Sequence, residues 1–547
     1  MKTKNIKLFL YASSLFFATS CTDLNVDIKS QYTSFPNSED AAEAVAANIY
    51  NYYREALGGD HWMVQTLSSD EAVSVALGSD YYDGGIYMQL DLHSWRSDLS
   101  KLSTIWNSAM KGVTGCNQVL QILGDTESTG AAPVRAMRAF YYFILMDNFG
   151  NVPIQKSISD TPSDRSPRKD VCEFIESELL AVRDKLTTTV DETTYGKATR
   201  YMADALLVKL YLNWNVYTAS DVASYTPGTI NPKLNNAVAI CDEIINSGKF
   251  NLKDDFFVKF RPTNGSQIKD FIFAMPFDRE KQQGMTYARF WTHRSAQKGF
   301  YEVDLPNSVA GTFRCLPEFY DKFNLPNDER NKQYLTGKLF KRKNFEATTE
   351  PFTISTSKKG IDQDYTGGDA DTKFNWQVEL TKDIVLRPDG AETLNCGNDQ
   401  KGRSMGYRSI KFYMDIETTK AQNRSQSNDV PIFRYADILL MKAEAILRGA
   451  SATNNDTPAS LMNQIRSYVG APSVSGTPTL DELLDERARE FADESWRRND
   501  LIRFGKFENP WGFKYLFPGN TDKNRRIFPV PQDVMNTNTN WTQNAGY

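Results

Sequence analysis

Residues 434–449 read RYADILLMKAEAILRG, and residues 479–505 read TLDELLDERAREFADESWRRNDLIRFG. Both stretches predict helices, and Gly449 is suited to end the first of them. Thr479 and Glu482 have the spacing of a capping box, which marks the start of the second helix. The apolar stripe of this second helix consists of Leu480, Leu483, Leu484, Ala488 and Phe491. The C-terminal part of the chain is therefore predicted to be helical.

The first part of the chain carries the same signals. Apolar residues at helical spacing predict further helices over 38–58, 102–124, from 133 onward, and over 171–186, 202–214 and 237–245. Gly58 is expected to end the first of these helices. The succession suggests helix pairs of the tetratricopeptide (TPR) type, although the WxxLGxxY signature and a strict repeat period are absent. We predict a mostly α fold, in which TPR-like helix pairs form a single large helical body.

The middle of the chain has a different composition. It is rich in Gly, Asn, Thr and Lys, and segments such as STSKKGIDQDYTGGDADTKFN predict long loops. Long loops in a compact protein are often functional, so we expect these insertions to carry a ligand surface. The predicted organisation is a signal peptide at 1–20, a tether at 21–35, helical regions at 36–250 and 431–547, and a loop-rich ligand-binding region at 251–430.

Composition excludes some classes of partner. The chain has 547 residues, of which 24% are charged, and a net charge of -5. This weak acidic balance gives no electrostatic attraction to phosphate backbones, so we expect no nucleic-acid partner.

The N-terminus has the pattern of a secretory signal. Lys2, Lys4 and Lys7 precede the apolar run Leu8–Ala18, and ATSC follows it, ending at Cys21. The run is about 11 residues long, too short to span a bilayer. Small residues before a cysteine resemble a bacterial lipoprotein cleavage box, which predicts lipidation at Cys21. A plain signal peptide cut nearby is the alternative.

Several longer segments resemble one protein family. RAFYYFILMDNFGNVPI, ADALLVKLYLNWNVYT, VPIFRYADILLMKAEAILRG, ERAREFADESWRRNDLIRFGKF and the ending IFPVPQDVMNTN…QNAGY follow one another along the chain. Together they resemble the SusD-like (RagB/SusD) family of Bacteroidetes outer-membrane lipoproteins. Trp214 and the segment Asn538–Trp541 depart from the family's usual residues.

The resemblance implies a function as well as a fold. Members of the family lie on the outside of the cell outer membrane and cap a SusC-like TonB-dependent transporter, to which they deliver nutrients, usually oligosaccharides. They bind their ligands without chemical conversion and need no cofactor. We therefore expect a lipid-anchored, non-catalytic binding protein whose partners are a glycan, a transporter and the membrane.

The stretch SDYYDGG, Ser79–Gly85, is the first candidate ligand site. In the family, the loop between the first two long helices contributes to ligand binding. Tyr81 and Tyr82 offer flat rings for the C–H side of a sugar, and Asp83 can accept hydroxyl hydrogen bonds. The alternative is that one or both rings anchor the loop to the core.

A second aromatic patch lies in the loop-rich region. YARFWTHRSAQKGFYEVD contains Trp291, Phe300 and Tyr301, which we also expect to contact a ligand. The competing interpretation places these rings in the core, where most aromatic side chains lie.

The charged residues of the family-like motifs have a simpler expected role. They lie in or beside amphipathic helices, where such charges pair along or between helices or contact water. These residues are Arg434, Glu444, Arg487, Glu490, Arg497 and Asp500.

The sequence leaves two other functions to consider, an enzyme and an adaptor. Asp80 and Asp83 have the residue type of a glycosidase pair, but acids this close in sequence are common. His61, His93 and His293 form no HExxH motif, and neither GxSxG nor a calcium loop is present. We therefore predict no catalytic residues and no metal ligands. A peptide- or protein-binding TPR-like adaptor at the cell surface is the alternative function.

Overall fold

Amphipathic helices build the first part of the described chain. The computed structural model describes residues 47–158 and 164–547. Its N-terminal helices are α1 Arg54–Ala56, α2 Trp62–Leu67, α3 Met88–Asp91, α4 Ser100–Leu123, α5 Ala132–Phe149, α6 Arg168–Val182, α7 Arg200–Leu212, α8 Trp214–Thr218 and α9 Leu234–Asn246. Gly124 and Gly150 follow α4 and α5 with φ values of 69° and 72°, which glycine adopts without steric cost.

Helices return after the middle region, as predicted. Within the middle region the helices are short, namely α10 Tyr287–Trp291, α11 Pro317–Tyr320, α12 Lys358–Ile361 and α13 Gln400–Ser404. The C-terminal helices are α14 Tyr435–Leu447, α15 Pro458–Tyr468, α16 Leu480–Phe491, α17 Arg497–Arg503 and α18 Gln532–Thr537. The predicted capping box of α16 is present, since Glu482 N–H donates to Thr479 Oγ1 (3.1 Å) and Thr479 N–H donates to Glu482 Oε2 (2.7 Å).

The helices pack as sequence neighbours and across the chain. α4 packs on α5, α5 on α6, α7 on α9, and α14 on α15. Contacts between α9 and α14 join the N-terminal and C-terminal helices into one body. The mostly α, TPR-like fold class predicted from the sequence is confirmed.

Gly58 does not end the first helix, contrary to the prediction. The chain continues through a π-helix at Leu57–His61 and then into α2. Gly58 instead permits a close backbone approach, because a Cβ at this position would lie 2.5 Å from the carbonyl O of Gly284. Thr286 N–H donates to Gly58 O at 3.0 Å across this contact. The glycine signal was thus a packing requirement and not a helix end.

The long C-terminal helix predicted over 479–505 is two helices. α16 ends at Phe491 and α17 begins at Arg497. Between them Asp493 and Ser495 have φ values of 64° and 65°. This left-handed conformation is incompatible with a right-handed α-helix.

The middle region contains short two-stranded sheets. The strands of the described chain are β1 Ala72–Ser74, β2 Val152–Pro153, β3 Arg165–Ser166, β4 Phe271–Met275, β5 Phe313–Cys315, β6 Tyr334–Leu335, β7 Gly337–Lys338, β8 Phe340–Lys343, β9 Glu346–Pro351, β10 Thr353–Ser357, β11 Lys373–Gln377, β12 Glu379–Leu380, β13 Arg408–Ser409 and β14 Val430–Arg434. β2 and β3 pair with each other outside the middle region. The segment 355–375, predicted as a loop, begins and ends in the antiparallel pair β10–β11. β1 pairs antiparallel with β5, which ties the N-terminal helices to the loop-rich region.

The charged motif residues are buried and paired. Arg434 donates from Nη1 to Asp270 Oδ2 (2.6 Å) and from Nε to Glu494 Oε2 (2.7 Å), and it also pairs with Glu490. Arg487 pairs with Asp500 at 2.7 Å. The Arg487–Asp500 pair confirms the expected pairing between helices, whereas Arg434 ends β14 and ties that strand to Glu490 on α16. The charged residues of the family-like motifs therefore hold the elements of the scaffold together.

No helix within 47–158 or 164–547 combines the length and apolar character needed to cross a membrane. The predicted signal peptide, Cys21 and the tether lie outside the described residues.

Candidate functional site

The candidate ligand loop, residues Ser79–Gly85, follows β1 and is fixed at its entry by a tight turn. Leu77 N–H donates to the carbonyl O of Asp80 (3.0 Å), and Asp80 N–H donates to Leu77 O (3.2 Å). Gly78 N–H donates to Asn395 Oδ1 (2.8 Å), which attaches the turn to the loop-rich region. The loop is therefore held by two separate parts of the chain.

The backbone of the candidate ligand loop is strained. Tyr81 and Asp83 have φ values of 65° and 47°, and Gly84 and Gly85 follow with 67° and 79°. A positive φ is uncommon for a bulky aromatic residue. Such conformations cost about 1–3 kcal/mol each and concentrate at binding and catalytic sites. The surrounding structure thus holds these side chains in a conformation that the isolated segment would not prefer.

The two adjacent tyrosines have different environments. Tyr81 is half-buried and packs against the main hydrophobic core. Tyr82 is 37% exposed. Its hydroxyl lies beside Gly85, since a Cβ at Gly85 would be 3.4 Å from it. One ring therefore anchors the loop, and the other is accessible to a ligand.

Polar groups surround the two rings. Asp83 is exposed and has no hydrogen bond or ion pair with any residue that the structure describes. Arg294 Nη2 pairs with Asp80 Oδ2 at 2.9 Å, and its guanidinium lies 5.3 Å from the centre of the Tyr81 ring. The loop thus combines a free acceptor, a guanidinium donor and an exposed ring, which are the groups that a sugar requires.

Arg289, on α10, adds a second guanidinium close to the loop. Burial and the charge of Arg424 lower the pKa of Arg289, while Tyr81 and Asp83 act in the opposite direction. Within 47–158 and 164–547 its side chain has no hydrogen-bond or ion-pair partner, and its cation lies 4.9 Å from the ring of Phe290. The Nε is buried without an acceptor, which costs about 1–3 kcal/mol in a protein interior.

Trp291 belongs to the core, which corrects the expectation that it contacts a ligand. Its side chain is 3% exposed, and its Nε1 donates to Asp493 Oδ1 at 3.0 Å. The ring packs edge-on against Phe313, 5.6 Å away. A ring enclosed in this way has no free surface for a sugar.

Phe300 and Tyr301 are also buried, with 1% and 7% exposure. The Phe300 ring lies 5.0 Å from that of Phe352, and the Tyr301 hydroxyl lies 3.2 Å from Thr292 Oγ1. Both rings belong to a small second core beneath the loop-rich region. Of the predicted site residues in the described chain, the structure therefore brings only Tyr81, Tyr82 and Asp83 together at an accessible surface.

The three histidines lie in the interior. His61 Nδ1 is 2.8 Å from the Tyr53 hydroxyl, and burial together with the charge of Arg498 lowers the pKa of His61 to about 3. Burial likewise lowers the pKa of His93 and of His293. In the part of the chain that the structure describes, no His, Cys, Asp or Glu side chains cluster in a way suited to a metal ion.

Sequence reasoning missed Arg289 and Arg294. Both lie in YARFWTHRSAQ, which is part of the stretch whose aromatic residues were expected to contact a ligand. The arginine side chain carries several donors that can bind sugar hydroxyls. The signal was two arginines five positions apart in a segment rich in aromatic residues, but nothing in it shows that the rings are buried while the arginines remain partly exposed.

Comparisons with known proteins agree with this architecture. A family model described as "SusD family" matches residues 269–547. A second model, "Starch-binding associating with outer membrane", matches residues 23–212. The chain is 23% identical to the starch-binding protein SusD of Bacteroides thetaiotaomicron over 440 residues, which cover 76% of this chain and 72% of that protein. It is 24% identical to the SusD-like protein P38 of Formosa agariphila over 402 residues, covering 70% and 67%.

Solved structures show the same fold. Surface glycan-binding protein A from Bacteroides thetaiotaomicron, in complex with laminarihexaose, superposes with a TM-score of 0.66 at 18% identity, covering 92% of this chain and 99% of that one. A SusD superfamily protein from Parabacteroides distasonis gives a TM-score of 0.65 at 21% identity, covering 93% and 99%. The first family model alone covers half of the sequence, and the chain belongs to the SusD family.

Proposed function

We propose that this protein captures oligosaccharides at the cell surface and passes them to a SusC-like TonB-dependent transporter of the outer membrane. SusD family proteins bind carbohydrate and are not enzymes. The observation that carries the proposal is the exposed Tyr82 ring beside the unpaired Asp83 and the guanidinium of Arg294. An exposed ring already ordered by its loop loses little side-chain entropy on binding.

The anchor is the second part of the proposal. Cleavage after residue 20 would leave Cys21 as a lipidated N-terminus, and the polar segment 21–35 would tether the helical body to the membrane. The outer-membrane description of the model that matches residues 23–212 supports this location. Metabolic labelling with a radioactive fatty acid tests it: the wild-type chain should be labelled, and a Cys21→Ser variant should not.

Affinity electrophoresis tests ligand capture. The purified full chain is run through native gels that contain starch, laminarin or other polysaccharides, and retardation by at least one glycan is expected. Retardation should decrease in a Tyr81→Ala, Tyr82→Ala double variant. Tyr515 is 68% exposed and belongs to a different segment of the chain, the short helix Lys514–Leu516, so Tyr515→Ala is the matched control and should behave as wild type.

The same gels separate the other functions. Equal retardation of the wild type and the double variant would remove the candidate ligand loop from the site. Absence of retardation by every glycan, combined with binding to peptides, would favour the peptide- or protein-binding adaptor. Smaller products after incubation with a retarding glycan would contradict the assignment as a non-catalytic protein.

A further inference from the structure

The candidate ligand loop is surrounded by more cationic than anionic groups. Arg294 contacts Tyr81 and pairs with Asp80. Arg289 lies close enough for the charge of Asp83 to affect its pKa. Two carboxylates thus accompany these two arginines. Asp80 and Arg294 form an ion pair, whereas Asp83 and Arg289 have no ion-pair partner in the described chain.

Two further arginines extend the positive surface. Burial and the charge of Arg294 lower the pKa of Arg403, and the charge of Arg424 lowers that of Arg289. Arg403 donates to Asn398 and Arg424 to Ser308, which are neutral acceptors. Asp399, the other acid that influences Arg403, is already paired with Arg387. The positive charges of Arg403 and Arg424 are therefore not neutralised by a direct ion pair.

Two arginines beside the candidate ligand loop have donors without acceptors, which indicates the kind of ligand that the loop binds. Arg289 Nε and Arg294 Nη1 are buried, and neither has a hydrogen-bond partner in the described chain. Unpaired donors also occur in the fully buried Arg314 and Arg498. Arg289 and Arg294 differ from these because they are only partly buried and lie beside the candidate ligand loop.

We propose that the candidate ligand loop binds an anionic oligosaccharide. The carboxylate or sulfate groups of this ligand bind Arg289 and Arg294, and one of its sugar rings contacts Tyr82. The planar guanidinium pairs with either oxyanion through two parallel hydrogen bonds, which gives orientation as well as affinity. Asp83 would accept hydroxyl hydrogen bonds from a neighbouring neutral part of the sugar. This inference rests on the proposed function, because it names the class of glycan captured at the same site.

Matched glycan pairs test the charge requirement. Isothermal titration calorimetry of the full chain compares polygalacturonate oligosaccharides with their carboxyl-reduced form, and carrageenan oligosaccharides with their desulfated form. At least one anionic member should bind ten times more tightly than its neutral counterpart, and added NaCl should weaken that binding. Preference within the first pair identifies carboxylate as the ligand group, and preference within the second identifies sulfate.

Variants connect the preference to the arginines. Arg289→Gln should reduce affinity for the anionic member about tenfold and leave the neutral member unaffected, whereas Arg289→Lys should keep part of the preference. Arg96 is exposed and pairs with Asp98 alone, so Arg96→Gln is the matched control. Circular dichroism melting shows whether Arg289→Gln remains folded; if it does not, Arg289→Lys and the salt dependence still decide the question.

The outcomes separate this inference from the proposed function. Equal binding of charged and neutral members, or binding of laminarin alone, overturns the anionic ligand and leaves glycan capture intact. Unchanged charge preference in both Arg289 variants overturns the assigned residue. Failure of every glycan to bind, charged or neutral, overturns both proposals.

Discussion

Tyr82 is exposed and Tyr81 is half-buried, so the two neighbours are expected to differ when each is replaced. Tyr82→Ala should weaken binding of the retarding glycan about tenfold. Removal of an aromatic side chain that is central to a binding site costs more than about 1 kcal/mol of binding free energy. The melting temperature should hardly change, since a surface substitution alters stability by about 0.5 kcal/mol or less. Calorimetry and thermal melts measure both effects. Unchanged affinity would show that Tyr82 is not part of the site.

The described cysteines provide a second prediction for individual residues. Cys116, Cys172, Cys241, Cys315 and Cys396 are buried and unpaired, and burial raises the pKa of Cys396 to about 11. A buried thiol that stays protonated reacts slowly. In a Cys21→Ser chain, a thiol reagent should therefore find no reactive cysteine under native conditions and five after unfolding. Rapid native reaction would contradict the packing around at least one of them.

Residue roles at the site could be predicted only in part. The aromatic and glycine content of SDYYDGG indicated a candidate site. The ligand role of its residues stays a prediction. Trp291, Phe300 and Tyr301 carry the same local signal but lie in the core. Their burial depends on partners distant in sequence, such as Asp493 for Trp291, and a local pattern cannot contain that information.

The helices follow the sequence closely where periodicity and caps agree. Helix α16 begins at the predicted capping box, and α4 ends at the predicted glycine. The break after α16 was not predicted, because FADESWRRND has no proline or glycine. Long-range contacts make the break: Asp493 leaves the helix and accepts hydrogen bonds from Trp62 Nε1 (3.3 Å) and Ser409 Oγ (2.6 Å), as well as from Trp291.

The break between α16 and α17 gives a prediction for these elements. Asp493→Ala should destabilise the protein by about 2–4 kcal/mol, because it leaves buried indole and hydroxyl donors without an acceptor and places alanine at a positive φ. Asp493→Asn should recover part of the loss, since asparagine tolerates that φ and keeps an acceptor. Urea unfolding measures both.

Asp485 provides the control for this prediction. It lies on α16, and its side chain is 42% exposed in its ion pair with Lys322, so Asp485→Ala should cost less than 1 kcal/mol by the usual value for surface pairs, about 0–1 kcal/mol. Equal destabilisation by Asp493→Ala and Asp485→Ala would show that the helix break is not held by Asp493.

Buried ion pairs connect the elements into one molecule and make its stability depend on pH. Burial alone would raise the pKa of Glu486, but the charges of Arg330, Arg489 and Arg466 outweigh it and lower that pKa from its ordinary value of 4.5 to about 2. The same competition between burial and arginine charges lowers the pKa of Glu490. Because the folded state binds these protons less tightly, the stabilisation is complete above pH 4.5 and is lost as the pH falls toward 2.

The contribution of Glu486 can be isolated by comparison with Glu486→Gln. The wild type should lose about 3 kcal/mol more unfolding free energy than this variant between pH 5 and pH 2. Urea unfolding at several pH values gives the two slopes. The variant will be less stable at neutral pH, since Arg330 loses a buried partner, but only the difference in slope tests the argument. Parallel pH profiles would contradict it.

The whole molecule separates two tasks. Buried arginine–carboxylate pairs on the family-like motifs hold the helices together, while the strained loop between β1 and α3 presents Tyr82 and Asp83 together with nearby arginines. The scaffold was predictable because its periodicity is local and its motifs are specific. The composition of the ligand surface was not, because it depends on which side chains long-range packing leaves exposed.

A crystal structure of the protein with the oligosaccharide that retards it most strongly is the most direct test of the proposed site. A sugar ring should lie against Tyr82, with a hydroxyl within hydrogen-bond distance of Asp83 and an acceptor within reach of Arg289 or Arg294. Electron density for the sugar at another surface, with the candidate ligand loop empty, would contradict the proposal.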